Sequence, residues 1–138
     1  MEKEIVSERF VVAGKDGKPR AVFEAGAPSE EAQLTLFGTD GIERAHFGVF
    51  AGHPDLTLCD NRGKVRIRLG FCYRTTDESG EDRFDPEVTL LDERDHVRAG
   101  ITLGADGDPT MIFFGKDKTP LVTICVIGSD SFVMTKDR

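Results

Sequence analysis

The chain has 138 residues, 38% hydrophobic and 31% charged, the size of one domain. Asp and Glu number 25 against 18 Lys and Arg, a formal net charge of −7. That balance disfavours nucleic-acid binding, which needs clustered cations, and no apolar run approaches the roughly 20 residues of a membrane span.

In chain order the pattern predicts about eleven short strands. They are Ile5–Ala13, Arg20–Ala25, Gln33–Phe37, Arg44–Phe50, Asp55–Cys59, Lys64–Tyr73, Glu87–Leu91, Val97–Leu103, Thr110–Phe114, Leu121–Ile127 and Ser131–Thr135. No stretch carries a helical period. The strands group into five and a half hairpin repeats of about 22 residues. Each repeat is an apolar alternation, a four-residue polar turn and a second alternation. The turns are Gly14-Lys15-Asp16-Gly17, Gly38-Thr39-Asp40-Gly41, Asp60-Asn61-Arg62-Gly63, Asp92-Glu93-Arg94-Asp95 and Gly115-Lys116-Asp117-Lys118. Gly suits the fourth place because the loop needs a left-handed backbone there. Asp95 tolerates that conformation, and Lys118 fits it worst.

Short loops of this kind join antiparallel strands, so the expected fold is an all-β up-and-down meander in a single domain, 1–138. A meander this long should curl into a barrel or a two-sheet sandwich or prism. Pairing the residues that flank each turn (Ala13 with Lys18, Phe37 with Ile42, Cys59 with Lys64, Leu91 with His96, Phe114 with Thr119) sorts the side chains into two faces. One face is expected to be core: Phe10, Val12, Phe23, Leu34, Leu36, Phe47, Leu56, Leu58, Val65, Ile67, Leu69, Phe71, Val88, Leu90, Ile101, Met111, Phe113, Ile124, Phe132 and Met134, with smaller residues between them.

The opposite face is mixed. It carries an arginine column, Arg20, Arg44, Arg66 and Arg98, suited to an anion or to pairing with carboxylates such as Asp60 and Asp92. It also carries threonines, with Thr89 expected opposite Arg98. Toward the C-terminus it turns apolar. Phe37, Leu91, Ile112, Phe114, Leu121 and Val133 are the candidate interface residues, since a strand apolar on both faces is one that something covers.

An acidic loop insertion, 75–86, breaks the repeat and holds Asp77, Glu78, Glu81, Asp82 and Asp85. It could offer oxygens to a hard cation but lacks the ligand order of a calcium loop. His46, His53 and His96 share no metal-ligand spacing, so no metal and no cofactor are expected. Cys59, Cys72 and Cys125 form no CxxC pair, and an odd, sparse set fits reduced thiols in the cytoplasm. No Gly-x-Ser-x-Gly, P-loop or dinucleotide motif is present.

The reading that follows is a non-enzymatic structural and interaction module. It self-associates as a homo-oligomer or docks on a protein partner as a subunit of a larger assembly. The alternative is a closed barrel holding a small apolar ligand among Phe23, Phe47, Phe71 and Phe113.

Overall fold

Turn chemistry dictates the architecture seen in the computed structural model, which describes residues 7–26, 31–76, 82–104 and 107–136. Eleven strands follow one another: β1 (Arg9–Ala13), β2 (Pro19–Gly26), β3 (Glu31–Phe37), β4 (Glu43–Phe50), β5 (His53–Cys59), β6 (Val65–Thr76), β7 (Asp82–Leu91), β8 (Val97–Leu103), β9 (Pro109–Phe114), β10 (Pro120–Ile127) and β11 (Asp130–Thr135). Their order in the sheet is their order in the chain, and no ring is closed among the described residues. The all-β antiparallel meander is therefore the observed fold, and the described residues contain no helix. The chain divides into two compact units, Met1–Gly63 with β1 to β5 and Lys64–Arg138 with β6 to β11.

The hairpin loop is tighter than the sequence pattern suggests. At Gly14, Gly38, Asp92 and Gly115 the first loop residue donates its N–H to the residue four places on, as Gly14 does to the Lys18 carbonyl at 2.8 Å. The fourth residue returns a bond to the first, as Gly17 does to Gly14 at 2.9 Å. This is a three-residue loop with its last residue in the left-handed region. Gly17, Gly41, Gly63, Asp95 and Lys118 take φ between 60° and 81°. The connection Gly104 to Asp108 makes the same two bonds, a sixth copy that the repeat alignment misses.

Beyond the closing pair of four of these loops the register shifts. Ala13 pairs with Pro19 and Val12 with Ala21, leaving Arg20 as the extra residue. Arg44, Arg98 and Leu121 are the extra residues of β4, β8 and β10. The expected flanking pairs are therefore corrected by one place, with Phe37 facing Glu43, Leu91 facing Val97 and Phe114 facing Pro120, and pairs beyond the extra residue are displaced by two, as Leu36 with Ala45. A shift of two keeps every side chain on its face, so the two-face sorting survives while the partners change. Thr89 lies opposite Gly100, not Arg98.

Two further corrections concern β11 and the insertion. Ile127 pairs with Asp130 across the two-residue turn Gly128-Ser129, so β11 does not follow the repeat. Val133 sits opposite Ile124 on the apolar face, and Phe132 and Met134 lie on the mixed face opposite Cys125 and Thr123. The insertion is mostly strand rather than loop. β6 runs to Thr76, and β7 begins at Asp82, where Asp85 pairs with Cys72 and Tyr73 with Phe84. Asp77, Glu78 and Glu81 lie outside the described residues, as do Ile5 and Val6 of the first expected strand.

The expected core is not a core within either unit. In each unit the described strands pack only against their sequence neighbours, so a unit is one layer thick. Phe23, Phe47, Leu69, Phe71, Ile101 and Phe113 are exposed. Among the described residues the buried hydrophobic ones are Val22 (4% exposed) and Cys125 (7%), both on the mixed face. Thr35, Thr57 and Thr89 are buried there too. These short residues sit beside longer ones, Thr35 and Thr57 each opposite His46 and Thr89 opposite Arg68, whose stems shield them.

Candidate functional site

Strand alternation alone assembles a broad apolar surface. In the first unit one row crosses the strands as Phe10, Phe23, Leu34, Phe47 and Leu56. The adjacent row is Val12, Ala21, Leu36, Ala45 and Leu58. In the second unit Leu69, Val88, Ile101, Met111, Ile124 and Val133 form one row. Ile67, Leu90, Ala99, Phe113 and Val122 form the next. None of these residues is charged. Large rows beside rows containing alanine give a surface of ridges and hollows. The second unit shows two shallow apolar grooves on this face. One of about 240 Å³ lies among Val88, Leu90, Ile101, Met111 and Phe113, and one of about 390 Å³ lies around Leu69, Phe71, Pro86 and Leu103. Tyr73 and Phe84 meet edge to face nearby, with ring centres 5.5 Å apart.

The hairpin loops form a second, polar feature. Asp16 accepts from the Lys18 N–H at 3.2 Å and from Arg20 Nη2 at 2.9 Å. Asp40 accepts from the Ile42 N–H and from Arg44 Nη2. When the Asp stands third in the loop, the first residue is Gly. A Cβ on Gly14, Gly38 or Gly115 would lie 2.6–2.7 Å from the carboxylate of Asp16, Asp40 or Asp117. When the Asp stands first, as Asp60 and Asp92 do, it accepts from the N–H of Arg62 or Arg94, and an arginine takes the third place. Three of the four column arginines, Arg20, Arg44 and Arg98, are thus part of the turn machinery. Arg20 and Arg44 grip loop carboxylates, and Arg98 donates to the Gly115 carbonyl.

These contacts set the carboxyl acidities. The Arg20 hydrogen bond, then the Lys18 N–H, holds Asp16 below its usual value. The Ile42 N–H does so for Asp40, and the Thr119 hydroxyl and N–H for Asp117. For Asp92 desolvation pushes upward, but the N–H groups of Arg94 and His96 outweigh it. A charged groove of about 350 Å³ lies between two loops, lined by Asp92, Glu93, Arg94, His96, Arg98 and Lys116.

The candidate interface residues do not gather on one surface. Phe37 belongs to the first unit and is half-buried beside its turn. Leu91 and Phe114 hold the equivalent places in the second unit. Ile112 and Leu121 lie on the mixed face, joined there by Phe132 and Met134, while Val133 lies on the apolar face. The surface that sequence reasoning missed as a site is the apolar face itself, whose alternation reads as core. Its exposure has no sequence signal, since alternation is the same whether or not a second layer covers it.

The described residues hold no cluster of His, Cys, Asp and Glu arranged for a metal ion. Desolvation, with Glu43 and Asp60 nearby, pushes the Cys59 thiol up, so it stays protonated near neutral pH. No helix of the described residues is long and apolar enough to cross a membrane. No family model matches the chain, and no curated protein matches it.

Proposed function

We propose that this protein is a non-enzymatic structural subunit that self-associates, with the apolar face of one copy packed on that of another. The observation that carries this is its surface area. The chain exposes 10331 Å². A folded monomer of 15.2 kDa exposes about 7,100 Å². The excess, about 3,200 Å² per chain or about 6,400 Å² for a pair, is at the large end of obligate homodimer interfaces. A sheet with one apolar face is stable when a second layer covers it, and a second copy supplies a layer with the same ridges and hollows. The two-layer sandwich suggested by the sequence then forms between copies. Ring closure is the poorer solution, because the first and last of eleven meandering strands run in the same direction and would need a parallel seam. The charge of −7 supports a protein partner over nucleic acid. Cysteines with no disulfide among the described residues support a reducing compartment such as the cytoplasm.

Sedimentation velocity at micromolar concentration tests this. The protein should sediment as a dimer or larger. Placing charge on the apolar face with Phe47→Glu and Ile101→Glu should shift it toward monomer and increase binding of a hydrophobic dye. A natural chain that sediments as a folded monomer overturns the reading.

A further inference from the structure

We infer that β11 is a second self-association site, at which two copies join edge to edge in antiparallel register about a two-fold axis through Val133. This rests on the free edge of β11 and not on the apolar face.

β11 stands last in the strand order, and among the described residues one of its edges has no neighbour in the sheet. Edge strands are normally guarded by charge, proline or a bulge. The run Ser131-Phe132-Val133-Met134-Thr135 has none of these, and all five residues are exposed, Val133 to 67%.

The direction of its backbone groups follows from the ladder. The Lys136 N–H donates to the Leu121 carbonyl at 3.0 Å. Hydrogen-bonding direction alternates along an antiparallel strand. Lys136, Met134, Phe132 and Asp130 therefore turn their backbone groups toward β10. Ser131, Val133 and Thr135 turn theirs to the open edge.

A two-fold axis at Val133 uses all three. Val133 meets its own copy, Ser131 meets Thr135 of the copy, and Thr135 meets Ser131. That makes about six backbone hydrogen bonds, whereas moving the axis to Phe132 or Met134 leaves about four. The side chains agree with the same axis. Phe132 falls opposite Met134 on the mixed face, a sulfur–aromatic contact. Ser131 falls opposite Thr135, whose hydroxyls can bond. Asp130 falls opposite Lys136, a pair of opposite charge at each end. Behind the Thr119 hydroxyl and N–H, Lys136 also helps to hold the Asp117 pKa down, so its ammonium would stand between two carboxylates. Opposed residues share a face, so the apolar faces of the two copies end on the same side of the joined sheet.

Disulfide trapping tests the axis. In a chain whose Cys59, Cys72 and Cys125 are changed to Ala, Val133→Cys should oxidise to a covalent dimer. Paired residues there lie about 5.5 Å apart between Cα atoms, within disulfide reach. Ser131→Cys alone should stay reduced, because it meets Thr135 of the copy, whereas Ser131→Cys with Thr135→Cys should crosslink. Separately, Val133→Pro removes an outward N–H without touching the β10 ladder. It should leave the far-ultraviolet circular dichroism unchanged and lower the sedimenting mass. A Val133→Cys chain that stays reduced, a Ser131→Cys chain that crosslinks equally well, or a Val133→Pro chain of unchanged mass overturns the proposal.

Discussion

At the residue scale, the loops show how one carboxylate organises a turn. An Asp in the third place reaches forward to an N–H two residues on, and a glycine in the first place leaves room for it. Asp16, Asp40, Asp92 and Asp117 all titrate below the usual value of 3.8 in the folded chain. A carboxyl depressed in this way stabilises the fold above its unfolded value. The contribution fades as pH falls through the folded value, so the turns weaken only below about pH 4. Carbon NMR titration of the carboxyls checks this. Arg20→Gln should raise the Asp16 midpoint and leave that of Asp117 in place. These solvent-exposed pairs add little to global stability but pin the loop conformation.

At the scale of the element, each repeat loop needs one left-handed residue. Gly supplies it at positions 17, 41 and 63, whereas Lys118 is forced to φ 65°. Lys118→Gly should therefore stabilise the β9–β10 hairpin by about 1 kcal/mol, and Gly17→Ala should destabilise β1–β2 by a similar amount. Chemical denaturation at fixed protein concentration reads both. The left-handed position was legible because Gly repeats there. The tighter loop and the register shift at the arginines were not, since a slip of two residues leaves the apolar alternation unchanged. β11 was misread for the converse reason. Its strand is apolar at Phe132, Val133 and Met134 alike, so alternation could not choose a face, and the Gly128-Ser129 turn chose it.

At the scale of the whole molecule, the exposed apolar area sets the behaviour. If association completes the core, stability is linked to concentration by mass action. The melting temperature should rise with protein concentration over the micromolar range, and calorimetry at several concentrations measures it. A melting temperature independent of concentration would remove association from the folding equilibrium.

The sequence by itself determined the strand count, the antiparallel meander and which side chains share a face. Those follow from local rules: a period of two, a polar loop and a left-handed fourth residue. Only the tertiary structure decided that the apolar face stays uncovered within each unit, because burial depends on what lies across from a strand and not on its own pattern. It likewise decided that Arg20, Arg44 and Arg98 serve the turns, since guanidinium partners are set by loop geometry. The acidic counts that first described a generic soluble domain became loop carboxylates with named donors. The hydrophobic count became an apolar face left exposed within each unit.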